Sequence, residues 1–319
     1  MKALCFDIFG SPDVLYYGDV ADRVIGDDEV MVKTKAIGLN FADTYRRNGN
    51  YHLVGQPPFI AGYEGAGEIV QIGKNISHLK IGDRIGFADV PLANAELVAV
   101  PASHAIPLPT NIGLETAAAM LLQGLTAQYL TTDSYQVKPG NVILVHAAAG
   151  GVGQLLVQLS KHFGATVIGL TSSAIKKQNV INAGADDCFL YNEDWKKQLV
   201  DKYKGVDVVY ESIGSTLMDS FEVTKTGGTI VFFGFAGGNP PLIDPRMLMD
   251  TSKTITGGDL WSYLTSAEER LKRSAELFNW IEQGVISVDI SRKFALSDGA
   301  AAHAFLESRQ STGKILLIP

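Results

Sequence analysis

The chain has 319 residues, 46% of them hydrophobic and 19% charged, with a formal net charge of -7. That length and composition exclude a disordered chain and predict one large or two medium domains around a real core. The acidic balance excludes nonspecific binding to a phosphate backbone, and the two distant cysteines, Cys5 and Cys188, exclude a disulfide framework.

The opening MKALCFDIFG carries Asp7 where a signal peptide would be apolar, so no secretion signal is expected. Through about residue 110, short runs alternate apolar and polar residues between turn formers: EVMVKTKAIG (29–38), GAGEIVQIG (65–73), GDRIGFADV (82–90) and AELVAVP (95–101). Period two with such punctuation predicts the short strands of a barrel-like or irregular β domain. After Pro107 and Pro109, GLETAAAMLLQGLTAQYLT reads as a buried helix with an internal Gly124. Its nearly apolar stretch, Thr116 to Leu130, is broken by Gln123, Gly124 and Gln128 and is shorter than a membrane span. A cytoplasmic protein with no membrane partner is therefore expected.

From about residue 140 the pattern changes. VILVHA (142–147) is a continuous apolar strand, GVGQLLVQLSKHFG (151–164) a helix closed by glycine, and TVIGLT (166–171) a second strand, followed by the helical AIKKQNVINAGA. VDVVYES (206–212) and GTIVFFG (228–234) are further apolar strands, with a helix-compatible run from Ser215 to Lys225 between them. Apolar strands alternating with amphipathic helices imply a doubly wound parallel sheet covered on both faces. TSAEERLKRSAELFNWIEQG (265–284) is a capped helix with acids in its first turn, and the final GKILLIP is a strand able to return to the first domain. The predicted fold is α/β: a β-rich domain, 1–122 and 260–319, with a doubly wound nucleotide-binding domain, 123–259, inserted.

HAAAGGVG (146–153) joins the first apolar strand to its helix. Laid on G-x-G-x-x-G it supplies Ala148, Gly150 and Gly153, with Gly151 as an extra glycine and alanine in the first position. Strand before and helix after make it a dinucleotide loop, with Ala149, Gly150, Gly151, Val152 and Gly153 facing the pyrophosphate. The end of the second strand, GLTSSAIKKQ, lacks the acid that accepts from an NAD ribose. Ser172 and Lys176 offer a hydroxyl and a cation for a 2′-phosphate instead, which points to NADPH, while Lys177 reads as a solvated helix face. His146 reads as a packed or backbone-bonded bystander beneath the loop.

IGLNFADTYRRNGNY, AGYEGAGEIVQIG, HAAAGGVGQ, INAGADDCFLYNED and STGKILLIP together resemble the zeta-crystallin-like quinone oxidoreductases, zinc-independent members of the medium-chain dehydrogenase/reductase superfamily. The resemblance runs nearly end to end. It implies a GroES-like β-rich catalytic domain, an inserted Rossmann domain, NADPH in the interdomain cleft and a homodimer. It also implies cofactor contacts at Asn40, Thr126, Gly150 to Gly153, Ser172, Lys176, Tyr191, Ser212, Phe233, Gly234 and Arg309. Tyr191 and Lys176 would bracket the adenosine phosphate, with Thr126 and Asn40 nearer the nicotinamide. Many members carry lysine where this chain has Gln123. Zinc-dependent relatives use an early cysteine and a Gly-His-Glu motif; Asn40 and Tyr63 stand at the corresponding positions here. Histidines 52, 78, 104, 146, 162 and 303 show no metal-ligand spacing, so no metal is expected and Glu64 reads as a buried structural acid.

Without a Lewis acid, the protein must align the acceptor and stabilise charge developing on oxygen through hydrogen-bond donors. The stretch N40-FADTYRRNGN-Y51 supplies three candidates: the Asn40 amide and the phenols of Tyr45 and Tyr51, which can also stack on a planar electrophile such as a quinone or enone. Asp43, Arg46 and Arg47 read as a solvated face. The leading expectation is NADPH-dependent quinone reduction. The second is reduction of an activated C=C bond in an enone, enal or enoyl thioester, with Tyr51 as proton donor, because Tyr51 resembles a tyrosine used by related enoyl-thioester reductases. The third is a non-catalytic NADPH-binding sensor or structural protein. No basic aromatic surface pattern suggests a nucleic acid.

Overall fold

Along Glu29–Leu39, Lys33 and Lys35 are exposed between buried Val32, Thr34 and Ala36, the alternation of a strand with one covered face. Along Val142–Val145 no polar residue interrupts the burial, as a parallel strand covered on both faces requires. These two patterns mark two architectures in the computed structural model, which describes residues 1–319.

The elements run β1 (Lys2–Phe6), β2 (Tyr16–Asp19), β3 (Glu29–Leu39), α1 (Phe41–Arg47), β4 (Phe59–Ile60), β5 (Glu64–Ile72), β6 (Arg84–Ala88), β7 (Leu97–Pro101), β8 (Ile106–Pro107) and α2 (Leu114–Tyr129). Then come β9 (Val142–Val145), α3 (Gly151–His162), β10 (Thr166–Thr171), α4 (Ala174–Asn182), β11 (Asp187–Leu190), α5 (Trp195–Tyr203), β12 (Val206–Glu211), α6 (Leu217–Val223), β13 (Thr224–Phe232), α7 (Arg246–Thr251) and β14 (Thr254–Gly257). The chain ends with α8 (Ala267–Glu282), β15 (Ile290–Ala295), α9 (Gly299–Glu307) and β16 (Lys314–Ile318). No helix is long and apolar enough to cross a membrane.

The chain divides into two compact units. The first comprises Met1–Gln123, Leu264–Phe278 and Val288–Pro319. Its larger sheet has the order β15-β16-β3-β5-β6-β8, with β7 also on β3, and a small sheet orders β2-β1-β4. GKILLIP does return: β16 pairs antiparallel with β3, Ile315 opposite Leu39. One core cluster gathers Val30, Val32, Ile69, Ile85, Phe87 and Val98; another joins Leu4, Phe6, Ile37 and Leu39 to Ile315 and Leu317.

The second unit comprises Gly124–Tyr263 and Asn279–Ser287. Its six parallel strands lie in the order β11-β10-β9-β12-β13-β14. Counted along the chain this is 3-2-1-4-5-6, the doubly wound order whose direction reverses between β9 and β12. Leu144, Ile168, Leu170, Val209 and Ile230 pack under Trp195, Leu199 and Phe221. Asn279–Ser287 belongs here, whereas the sequence reading sets all of 260–319 with the β-rich domain. Trp280 meets Phe163 edge-on at 6.1 Å, and the Gln158 side chain accepts the Ser287 N–H at 2.8 Å.

Both cysteines are free and buried, and burial pushes the thiols up, to about 11 for Cys5 and about 12 for Cys188. Asp43, Arg46 and Arg47 are not the solvated face expected of them: all three are buried. Arg47 donates through Nε to the Gly10 carbonyl at 2.9 Å, pairs with Glu307, and sits 3.1 Å from His303 Nδ1.

Burial, and then the Arg47 charge beside it, pushes fully buried His303 down to about 3. The unfolded chain takes up that proton near pH 6.5, so stability present above pH 6.5 is lost as pH falls from there toward 3. The slope is about 1.4 kcal/mol per pH unit for one proton. Urea unfolding at pH 7, 6 and 5 should show His303→Gln with a shallower acid loss than the parent by that amount; parallel slopes would refute the assignment.

Candidate functional site

In the second unit the functional candidates cluster at the carboxyl ends of the parallel strands, beside the reversal between β9 and β12, where open α/β sheets bind ligands. After β9 the chain turns through Ala147, a non-glycine at φ 47°, and enters α3 behind Gly150, whose position caps the helix with no side-chain hydrogen bond. The first N–H groups of α3 are therefore open to an anion, reinforced by the helix dipole. Gly153 is pinned from below: a Cβ there would lie 2.8 Å from Ala148 Cα and nearer still to the Ala147 carbonyl. At Gly150 such a Cβ would press on a single atom, Ala147 O, at a tight 3.2 Å, a milder clash than at Gly153. Ala148, in the first glycine position, is accommodated by Gly169 on β10, where a Cβ would stand 2.9 Å from that of Ala148.

Ala149 is buried and Gly151 and Val152 are half-buried along this turn. Ser172 follows β10 and is exposed; half-buried Lys176 lies one turn into α4, whose cap Ser173 accepts the Lys176 backbone N–H at 3.4 Å. Ser212 follows β12, and Gly234, after Phe233 at the end of β13, lies where a Cβ would be 3.2 Å from the Ser212 carbonyl. Thr126 is half-buried on α2. Tyr191 follows β11, but its hydroxyl is turned to the loop: it accepts the Ala147 N–H at 2.9 Å and lies 3.2 Å from His146 Nδ1. His146 is accordingly no bystander. Fully buried, it sits 3.1 Å from Ser220 Oγ and 3.5 Å from Glu211 Oε2.

In the first unit, register builds a charged cluster that residue types alone did not reveal. Because Ile315 pairs with Leu39, Lys314 arrives beside Asn40. Its Nζ donates to Glu64 Oε2 at 2.6 Å and Asn40 Oδ1 at 2.8 Å. Asn40 Nδ2 donates to the same Glu64 oxygen at 2.9 Å and to the Gly38 carbonyl at 3.3 Å, and Gln123 Nε2 donates to Asn40 Oδ1 at 3.2 Å. The other Glu64 oxygen accepts the Leu122 N–H at 2.6 Å. Both Lys314 and Glu64 are fully buried; burial lowers the Lys314 ammonium from the ordinary lysine value while Glu64 acts to raise it. The Asn40 amide is thus spent inward on both sides. Gln123 Oε1, by contrast, is buried with no protein donor.

Asp43 accepts the Asn40 backbone N–H at 2.9 Å and holds Arg46 at 3.4 Å; burial raises its carboxyl above the usual range, against the pull of Arg46. The Arg46 guanidinium lies 3.6 Å over the Tyr63 ring and 4.9 Å from that of Tyr51, cation–π distances. Tyr45 is half-buried, 6.5 Å from Phe41 between ring centres. Arg309 is exposed on the turn after α9, at φ 59°. No group of three or more His, Cys, Asp or Glu is arranged to hold a metal ion. Of the positions that resemble zinc-ligand segments, one is Asn40, one is Tyr63 stacked on Arg46, and the adjacent Glu64 carboxylate is taken by an ammonium, so zinc does not fit this donor set.

Residues 26–140 match the family described as alcohol dehydrogenase GroES-like domain, and residues 151–278 the family described as zinc-binding dehydrogenase. A quinone oxidoreductase of Pseudomonas aeruginosa is 38% identical over 100% of this chain and 99% of its own length. The chain belongs to the quinone oxidoreductase family. A solved quinone oxidoreductase of Escherichia coli, complexed with NADPH, superposes with a TM-score of 0.96 at 37% identity, covering 100% of both chains. The family's neighbourhood also includes a 2-haloacrylate reductase of a Burkholderia species, 35% identical over 97% of this chain and 96% of its own length. The fold is the GroES-like and Rossmann pairing of the medium-chain dehydrogenases/reductases.

Proposed function

We propose that this protein reduces quinones with NADPH and without a metal ion. What carries the reading is the full-length likeness to an NADPH-complexed quinone oxidoreductase, joined to a phosphate loop that fits the nucleotide: an uncapped helix start at Gly150 with no side-chain hydrogen bond on it. The open N–H groups from Gly151 to Gly153 hold the pyrophosphate, with Ala149, Ser212, Phe233 and Gly234 alongside. Ser172 and Lys176 hold the 2′-phosphate at a strand end with no competing acid, and Thr126 and Arg309 complete the set. When bound, NADPH supplies the hydride. Asn40, its amide spent on Glu64, Lys314 and Gln123, shapes the wall of the site. Donation to the acceptor oxygen passes to the phenols of Tyr45 and Tyr51, with Tyr51 steadied by Arg46. The partner is a planar electrophile. The protein acts in the cytoplasm as a homodimer, a state with which β14, one of the sheet's two edge strands beside the apolar β13, is compatible; sedimentation at micromolar concentration reads the mass directly.

The observation favouring a second reading is the relative named for 2-haloacrylate reduction: hydride addition to the β-carbon of an activated alkene leaves an enolate that needs one proton, and Tyr51 can give it. Steady-state assays with NADPH on quinones, enones, a haloacrylate and a short enoyl-CoA separate the two. Quinones should give the highest kcat/KM. If they are poor and Tyr51→Phe abolishes turnover of the alkenes, the second reading replaces the first. If NADPH binds and no electrophile turns over, the protein is a nucleotide-binding sensor or structural protein. Lys176→Ala should raise the NADPH Kd by about 10-fold to 100-fold, the range of a charge-assisted hydrogen bond, while NADH binding stays unchanged. Equal losses for both cofactors would remove Lys176 from the phosphate.

A further inference from the structure

Strands β12 and β13 end side by side, Glu211 opposite Phe232, yet their pairing continues into the turns beyond. The Phe233 N–H donates to the Glu211 carbonyl at 2.9 Å, the Ala236 N–H to the Ser212 carbonyl at 3.0 Å, and the Gly237 N–H to the Ile213 carbonyl at 2.8 Å. The two turns lie so close that a Cβ on Gly214, at φ 84°, would collide with the Gly238 carbonyl. The Glu211 side chain, which closes the first of these turns, is fully buried. Its Oε1 accepts the Ile213 N–H at 2.7 Å and the Gly214 N–H at 3.1 Å. Those roles are fixed, because an amide N–H can only donate. Thr216 Oγ1 lies 2.9 Å from each carboxylate oxygen, and Ser220 Oγ, on α6, lies 2.6 Å from Oε2. One carboxylate therefore ties the turn both to the strand it leaves and to the helix it enters.

A doubly wound sheet consists of two mononucleotide-binding halves that meet where the strand order reverses. Ser172 and Lys176 follow β10 in the half made of β9, β10 and β11, whereas the two laced turns end β12 and β13 in the other half. On the NADPH reading, on which this inference rests, the first half takes the adenosine 2′-phosphate and the second takes the nicotinamide nucleotide. We propose that Glu211 is a positioning residue for the nicotinamide half of the cofactor. Its carboxylate holds the turn bearing Ser212, and the backbone lacing passes that position on to the turn bearing Phe233 and Gly234. Without the acceptor, the Ile213 and Gly214 N–H groups must turn toward water to be satisfied, and both turns move with them. The hydride donor is thus aimed by a buried residue that does not touch it.

Two probes separate the halves: NADPH, which fills both, and adenosine 2′,5′-bisphosphate, which fills only the first. Glu211→Met, of similar length but without an acceptor, should raise the NADPH Kd about 5-fold to 150-fold, the range for a stranded buried donor. The Kd of the bisphosphate should stay within about twofold. Glu211→Gln keeps an oxygen for the two N–H groups and should bind both probes as the parent does. Equal weakening of both probes by Glu211→Met makes Glu211 a support of the whole unit and overturns the proposal, as does unchanged NADPH binding. Should Glu211→Met fail to fold, Gly214→Ala takes its place, since it pries the turns apart without stranding a buried donor. It should show the same split, and equal or absent losses overturn the proposal. A parent that binds neither probe sinks the cofactor reading instead. Hydrogen exchange of the ligand-free parent then still tests the frame: the Ile213 and Gly214 amides should exchange as slowly as those of β12, and rapid exchange overturns it.

Discussion

Lys314→Met should cost this protein about 3–5 kcal/mol of stability, the loss typical of removing one member of a buried ion pair. The carboxylate left behind is fully buried. Glu64 would keep the Leu122 N–H and one Asn40 N–H, too little to hold a full negative charge inside a low-dielectric core. The neighbourhood has no slack either, since a Cβ on Gly38 would collide with the Glu64 carboxylate and the Ala118 carbonyl. Adding Glu64→Gln removes the charge and should recover most of the loss. Urea denaturation of the parent, both single variants and the double variant gives the coupling directly. A Lys314→Met protein as stable as its parent would mean the pair contributes nothing, and the geometry has been misread.

The second large effect separates two glycines three residues apart. Gly153→Ala forces a methyl group into the backbone of Ala147 and Ala148. Backbone does not swing aside as a flexible side chain does, so α3 must lift off the loop. Overpacking of this kind costs about 1–3 kcal/mol, which should appear as a lower melting temperature of the free protein and a rise in NADPH Kd of about 5-fold to 150-fold. Gly150→Ala meets only the Ala147 carbonyl at 3.2 Å, and its methyl group projects where phosphate must approach. That variant should lose less melting temperature than Gly153→Ala yet bind NADPH weakly. If the two behave alike, the division of labour between packing and phosphate approach is wrong.

The sequence made the architecture legible because periodicity reports how many faces of an element are covered. The apolar stretches within β9, β10, β12 and the second half of β13 declared a parallel sheet, and the alternation of β3 declared a half-wetted one. The phosphate loop was readable despite Ala148, since strand and helix flank it; why alanine is tolerated depends on Gly169, on the neighbouring strand. What stayed hidden were long-range pairings of polar residues. DTYRR looks like any solvated helix face, and only the partners Tyr63, Gly10 and His303 explain its buried arginines. Lys314 looks like an ordinary strand lysine until the register of β16 on β3 sets it against Asn40 and Glu64. His146 was readable as buried, but its partners come from β11, β12 and α6.

The return of β16 to β3 also bears on the order in which the molecule can be completed during synthesis. Glu64 leaves the ribosome 250 residues ahead of the lysine that neutralises it. By the time Ser287 has emerged, every residue of the nucleotide unit exists, while the unit begun first still lacks two of its strands. Domains fold as they appear, at about 5–20 residues per second, so the unit that starts first finishes last. Through that interval the nascent chain carries a carboxylate whose cation has not yet been made, and a β3 edge waiting for the strand that will close it.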